Sequence, residues 1–167
     1  MKDLKFCPKC GNESLSWDGE KKWNCKDCDY VLFHNVAGAV AVVIKCGDEI
    51  LLTRRNQEPK KGKLDLAGGF VDPKESAEET CARELFEEMK IKIDISKLKY
   101  LASLPNIYEY KSIIYNTLDI FYEYESEEKF EKIEKSENQV IFGESLKLIF
   151  KSYDIGVKIE ENGKTKA

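Results

Sequence analysis

Four cysteines constrain this chain more than any other feature. They read Cys7-Pro-Lys-Cys10-Gly11 and Cys25-Lys-Asp-Cys28, with fourteen residues between Cys10 and Cys25. Each Cys-x-x-Cys puts two thiolates on one tight turn, and two such pairs at this separation match a zinc ribbon. Gly11 follows the first pair, where a positive φ is often needed. The two turns together complete a tetrahedral sulfur site with no open position. Cys7, Cys10, Cys25 and Cys28 are therefore expected to hold a structural Zn²⁺. Such a site contributes about 10–16 kcal/mol of apparent binding energy in a small peptide, so the ribbon should unfold without metal. The alternative is a pair of disulfides in a small secreted module. The opening MKDLKFCPKC lacks the apolar stretch of an export signal, and Cys46 and Cys81 would be left over. Those two lie in apolar or helical contexts and read as buried, inert thiols.

The chain has 167 residues, which suits one domain with a small module attached. Hydrophobic residues make up 42%, enough for a core. No apolar run approaches the roughly 18 residues of a membrane span. A net charge of −4 argues against a broad nucleic-acid footprint, although a local basic groove stays open. Thiolate ligands and no export signal together point to the cytoplasm.

Residues 1–33 form the ribbon, with Trp17 and Trp23 on hairpin strands covering a very small core. Val36 to Ile44 is a Val-rich run bounded by turn signals and reads as a buried strand. A turn at Cys46-Gly-Asp-Glu returns the chain as a second strand, Ile50 to Arg54. A charged loop covers 56–63, and Leu64 to Val71 carries the Gly68-Gly69 pair. Residues 75–89 have helical periodicity, with Ala82, Leu85 and Met89 on one face. Strands are expected at 99–104 and 113–124. In the latter the even positions, Ile114 to Tyr124, should form the drier face, because Asp119 and Glu123 are odd. Residues 123–137 hold seven Glu against three Lys, with Phe130 and Ile133 anchoring a short helix. Leu146, Ile149, Phe150 and Tyr153 fit a last amphipathic helix, and a polar tail runs from 156 to 167.

The chemistry concentrates in GFVDPKESAEETCARELFEEMKI, residues 69–91. Glu84, Glu87 and Glu88 stand at i, i+3 and i+4 on one helix face, where like charges repel. Three such carboxylates suit a hard divalent cation, and oxygen ligands select Mg²⁺ or Mn²⁺ over softer metals. Arg83 can pair with a carboxylate at i+4 or with one on the preceding loop, such as Glu75. The bland alternative is a solvated acidic face. The whole spacing argues against it: Gly69, five residues, Glu75, seven residues, then Arg83-Glu84-Leu85-Phe86-Glu87-Glu88.

This spacing resembles the Nudix hydrolase signature, and the preceding LLTRR and KGKLDLAGGFVDPKES resemble the approach to that box. A four-cysteine ribbon ahead of it is similar to the group that includes NADH pyrophosphatases and ADP-ribose pyrophosphatases. The resemblance runs from about residue 5 to about 124. It implies an α/β (α+β) fold, a Nudix α/β/α sandwich with a mixed sheet at 36–155, preceded by a rubredoxin-like zinc ribbon. There are departures. Lys90 replaces a glycine that commonly ends the helix in a left-handed conformation, which costs roughly 1–2 kcal/mol unless the helix ends differently. Ala67 and Lys74 stand where relatives often have Pro and Gly. The segment Ser103-Leu-Pro-Asn-Ile-Tyr-Glu-Tyr110 does not match the aromatic specificity motif of NADH pyrophosphatases.

The resemblance implies divalent-metal-dependent hydrolysis of a nucleoside diphosphate linked to another group, such as ADP-ribose, NADH or a similar dinucleotide. It makes Glu84, Glu87, Glu88 and the Gly68 carbonyl ligands of Mg²⁺ (or Mn²⁺), with Glu84 alternatively the base. It makes Arg83 a group that orients a carboxylate, and Glu75 either its partner or the holder of a water beyond the metal ligands. A further Glu would come from Glu127, Glu128 or Glu131. Arg54 and Arg55 are candidates to meet substrate phosphates, and Tyr108 and Tyr110 to stack a base. Ribbon-bearing relatives also make a homodimer an expectation. Two other functions stay open: a nucleoside triphosphate pyrophosphohydrolase, and a non-catalytic nucleotide- or RNA-binding module.

Overall fold

The computed structural model describes residues 4–47, 49–54, 61–111, 113–127 and 139–143, with the backbone alone at 49, 54, 110 and 139–143. The chain forms two compact units. One comprises residues up to Ala37 with Ile107–Asn116, the other Gly38–Asn106 with the chain from Thr117 onward.

In the first unit, β1 (Leu15–Trp17), β2 (Lys22–Cys25) and β3 (Val31–Phe33) form an antiparallel sheet in that order. The first turn is built by Asp18, whose Oδ1 accepts from the backbone N–H groups of Glu20, Lys21 and Lys22 at 2.8, 2.9 and 3.2 Å. Trp17 lies opposite Trp23 in the β1–β2 register, with ring centroids 4.4 Å apart. His34 meets both rings edge-on. The tryptophans thus cover the small core, and Trp23 is buried.

The second unit is built on most of one mixed sheet, whose residues Ala37 and Ile107–Asn116 belong to the first unit. Its strands are β4 (Ala37–Cys46), β5 (Glu49–Arg54), β6 (Leu64–Asp65), β7 (Ala67–Phe70), β8 (Lys99–Tyr110), β9 (Ile113–Glu125) and β10 (Gln139–Gly143). The main order is β10-β5-β4-β9-β8, with β6 on β5 and β7 on β4. The N-terminal half of β4 pairs with β7 and its C-terminal end with β5. The Ser126 N–H donates to the Lys45 carbonyl at 2.8 Å, and the Lys45 ammonium lies 3.5 Å from Glu123 and 4.0 Å from Glu125. The far ends of β4 and β9 therefore coincide, and the two strands run parallel.

One helix, α1 (Ala77–Met89), covers one face. Cys81, Leu85 and Met89 pack there on Val40, Val42, Ile44, Leu51, Ala67 and Tyr122. Fully burying a side chain such as Leu85 stabilises by roughly 1.5–3 kcal/mol. The opposite face carries Ala41, Val43, Ile50, Leu52, Leu66 and Phe121. No helix among the described residues is long and apolar enough to cross a membrane.

Three sequence expectations change. The strand expected at 99–104 continues to Tyr110. The drier face of β9 is not the even one throughout: Ile114 and Leu118 are exposed, whereas Thr117, Asp119 and Phe121 are buried. The reason is β9's central place, which gives it an apolar cluster on each side. The sequence reading placed no strand between 125 and 146, yet β10 pairs antiparallel with β5. The helices expected around Phe130 and Ile133 and over Leu146–Tyr153, and the polar tail, lie outside the described residues.

Candidate functional site

The helix start explains the local geometry. Ser76 is the N-cap: its side chain accepts from the Glu79 N–H at 3.1 Å, and Glu79 accepts from the Ser76 N–H at 2.7 Å. This capping box starts the helix at Ala77, later than the periodicity alone suggests. It also leaves Glu75 on the loop, where it faces back toward α1.

Arg83 gathers the carboxylates. Its Nε donates to Glu75 Oε1 at 2.9 Å and its Nη2 to Glu75 Oε2 at 3.1 Å. Its Nη1 donates to Glu84 Oε1 at 2.7 Å and to Glu87 Oε2 at 3.2 Å, while Nη2 also reaches the Phe70 carbonyl at 3.0 Å. Thr80, fully buried, sets its hydroxyl 2.9 Å from Glu75 Oε2. The Arg83 guanidinium holds the Glu75 carboxyl below its ordinary value, and Glu75 raises that of Arg83. Behind this cluster, the Tyr122 hydroxyl donates to Glu78 at 2.6 Å and ties α1 to β9. That bond lowers the Glu78 carboxyl, while burial raises the Tyr122 phenol.

The glycine pair fits the carboxylates closely. A Cβ on Gly69 would collide with the Glu84 carboxylate, and one on Gly68 would collide with the Val40 carbonyl oxygen. Only a bare backbone lets Glu84 lie against β7. Glu88 turns its Oε2 away from solvent. Glu84 and Glu87 already converge on one cationic group, Nη1 of Arg83, and all three helix carboxylates are hard oxygen donors. This set suits a divalent cation of the Mg²⁺ class. Among the described residues, however, only the four cysteines lie close enough together to share one ion as they stand.

Lys90 ends α1 in the left-handed conformation, φ 60° and ψ 20°. Its N–H donates to the Phe86 carbonyl and that of Ile91 to the Leu85 carbonyl, the pairing usual for a glycine at this point. Lys90 Nζ lies 3.2 Å from the Glu87 carbonyl and over the Phe86 ring, contacts that offset part of the strain. Lys74 also has positive φ, at 77°.

The cysteine turns converge as a ligand set. The four Sγ atoms lie within 4.8 Å of one another, and Cys7–Cys28 and Cys10–Cys25 are 3.8 and 3.7 Å apart. These separations exclude disulfides, which need about 2.05 Å. They match the roughly 3.8 Å edge of a tetrahedron with 2.3 Å metal–sulfur bonds. The Ser14 hydroxyl, 3.0 Å from Cys25 Sγ, lowers that thiol toward the thiolate a metal needs, whereas, against the Tyr30 backbone bond, burial and the other three sulfurs raise the Cys28 thiol. Cys81 is buried, and burial pushes its thiol up to about 12. Cys46 is only half-buried, less enclosed than its sequence suggests.

Most of the other candidates fall where the structure describes no side chain. Arg54 lies in β5 with its backbone alone described, and Arg55, Glu128 and Glu131 lie outside the described residues. Glu127 is exposed, 3.6 Å from Lys97. Tyr108 belongs with the ribbon unit and the side chain of Tyr110 is not described. Thr80 and the Phe70 carbonyl were not anticipated. A hydroxyl five residues after Glu75, one helical turn from the cap, was the available signal for Thr80.

Comparison with known proteins gives one consistent answer. The NUDIX domain family matches residues 34–143. The chain is 34% identical over 107 residues to the NAD-capped RNA hydrolase NudC of Haemophilus influenzae (strain PittGG), covering 63% of this chain and 40% of that protein. It is 35% identical over 111 residues to the NAD-capped RNA hydrolase NudC of Mannheimia succiniciproducens, covering 63% and 41%. The chain thus spans about two fifths of the length of these relatives. A MutT/nudix family protein from Enterococcus faecalis has the same fold, with a TM-score of 0.59 and 21% identity over 70% of this chain and 46% of its own. The matched span contains the Gly68-Gly69 pair, Glu75, Arg83 and the three helix carboxylates, and the chain belongs to the NUDIX domain family.

Proposed function

We propose that this protein is a divalent-metal-dependent pyrophosphohydrolase that cleaves a nucleoside diphosphate linked to a second group. The observation that carries the reading is the Arg83 constellation, in which one guanidinium holds Glu75, Glu84 and Glu87, and Glu84 lies against the bare backbone of Gly69. A purely solvated acidic helix would have no reason to pack a carboxylate where no Cβ can fit.

Glu84, Glu87, Glu88 and the Gly68 carbonyl would hold Mg²⁺ or Mn²⁺. When bound, these ions neutralise diphosphate oxygens and lower the pKa of a water. Thr80 fixes Glu75, Glu75 fixes Arg83, and Arg83 fixes the rotamers of Glu84 and Glu87. Water attacks one phosphorus, the bridging P–O bond breaks, and two phosphate-bearing halves leave. The cysteine cluster would hold Zn²⁺ in a structural role, and a thiolate site of that kind suits a reducing cytoplasm.

The substrate class follows the relatives only in part. Their printed name is NAD-capped RNA hydrolase, and an NAD cap carries the same linked diphosphate as a free dinucleotide. Free ADP-ribose-like or NAD-like molecules are the leading class, and capped RNA is the second.

The test is product release from ADP-ribose, NADH, FAD, NAD-capped RNA and nucleoside triphosphates, with Mg²⁺ or Mn²⁺ and a Glu88→Gln control. Metal-dependent cleavage of linked diphosphates, absent in the control, is the expected result. Cleavage of triphosphates alone would select the housekeeping alternative. Nucleotide binding without any cleavage would select the sensing module.

A further inference from the structure

Asp119 is a carboxylate that the reaction above does not use. It is 8% exposed, on the sheet face opposite α1. Asn106 Nδ2 donates to its Oδ2 and Thr117 Oγ1 to its Oδ1, each at 2.7 Å. Burying a carboxylate is costly, and two donors satisfy only part of its capacity. Among the described residues, each oxygen keeps a second acceptor position.

The surroundings of Asp119 form a shallow trough. The parallel register set by Lys45 and Ser126, followed back along both strands, brings Ala41 level with Phe121 and Ala39 level with Asp119. Ala41 and Phe121 do share one apolar cluster. On the other side of β4, Ala39 pairs with Phe70 and Ala41 with Gly68. One row therefore crosses three strands, Phe70, Ala39 and Asp119, and Asn106 of β8 bonds Asp119 at its end. The next row holds Gly68, Ala41 and Phe121. The floor is small between an aromatic ring at one end and a carboxylate at the other. Phe70 and Asp119 stand two strands apart, roughly 10 Å. Phe70 is exposed and Ala39 and Asn106 are half-buried, so the trough is open along this row. The backbone links it to the proposed chemistry, because the Phe70 carbonyl is held by Arg83 and its neighbour Gly69 lies against Glu84.

We infer that Asp119 reads the base of the nucleotide. Asp119, positioned by Asn106 and Thr117, accepts a hydrogen bond from the exocyclic amino group of adenine, and the ring lies over Ala39 and Ala41 against Phe70. An anionic acceptor at the end of an apolar trough rewards an amino-bearing ring and leaves a ring without that donor unpaired against a buried charge. This assignment rests on the pyrophosphohydrolase reading for its substrate class.

The experiment is equilibrium binding of AMP and of purine riboside 5′-monophosphate, which lacks only the amino group, to the full chain with Mg²⁺. The expected result is a preference for AMP of about tenfold or more in the unaltered protein. In Asp119→Ala, with its fold checked by circular dichroism, that preference should fall to within about twofold. Asp119→Leu, whose side chain has the same number and branching of heavy atoms, replaces it if the alanine variant does not fold. Equal binding of the two nucleotides by the unaltered protein, no binding of either, or a preference that survives loss of the carboxylate overturns the assignment. If linked diphosphates are cleaved while the two nucleotides bind alike, the base assignment alone fails. If the preference holds and nothing is cleaved, the hydrolase reading alone fails.

Discussion

Arg83 grips Glu75 with two nitrogens, Nε at 2.9 Å and Nη2 at 3.1 Å, and has Nη1 left over for the helix carboxylates. Only a planar fork can serve three carboxylates at once. Arg83→Lys should therefore keep the charge but lose the geometry, lowering activity or metal affinity by about 10–100-fold. Activity titrated against Mg²⁺ checks this, because a positioning role raises the metal requirement. The same pair sets a pH dependence. The Glu75 carboxyl is lowered from 4.5 in the folded protein. Its stabilisation is complete above that value and is lost as pH falls through the lowered folded value. Melting temperature followed downward from pH 5 should drop less steeply in Glu75→Gln, which starts lower.

Gly68→Ala and Gly69→Ala should fail in different ways. The first new Cβ meets the Val40 carbonyl, which is backbone in the central strand, so it should reduce stability sharply. The second meets the end of the Glu84 side chain, which can swing away. Gly69→Ala should therefore fold and lose activity. Thermal melts beside turnover separate the two.

Glu87→Gln and Glu88→Gln should fold normally and lose at least about 10²-fold in rate, through lost electrostatic stabilisation. Near-native turnover in both purified variants would remove the metal assignment. Turnover and circular dichroism on the same preparations suffice.

Lys74 and Lys90 occupy left-handed conformations that glycine adopts freely. Lys74→Gly should stabilise by about 0.5–1 kcal/mol. Lys90→Gly should gain less, because it gives up the Glu87 and Phe86 contacts. Urea unfolding of the two variants tests the order.

Both tryptophans of the chain, Trp17 and Trp23, stack in the ribbon. Intrinsic tryptophan emission therefore reports on the ribbon alone. A strong zinc chelator should shift that emission to the red, and added Zn²⁺ should restore it. Unchanged emission after verified metal removal would show that the ribbon holds without its ion.

The strongest sequence signals were those with local physical causes. Val-rich β4, the turn into β5 and the amphipathic α1 each carry their own pattern. The cysteine turns and the Glu75-to-Glu88 spacing do too, because each places polar side chains over a short stretch. Asp119 was misread because alternation assumes one wet face, whereas β9 is flanked by strands and backed on both sides. β10 escaped because Gln139–Gly143 is short and follows a charged stretch, and its stability comes from pairing with β5. Arg83's reach to the Phe70 carbonyl depends on how β7 meets α1, which no spacing encodes.

The parallel pairing of β4 with β9 also has a temporal meaning. Lys45 and Ser126 meet only when the intervening chain has been made, since one bonds the other. Helix α1 can form early from its own capping box, but the sheet that supports it closes late. Such distant pairing slows folding. During synthesis the emerging chain would carry a finished acidic helix and an unfinished sheet, completed only once Gly143 at the end of β10 has cleared the ribosome.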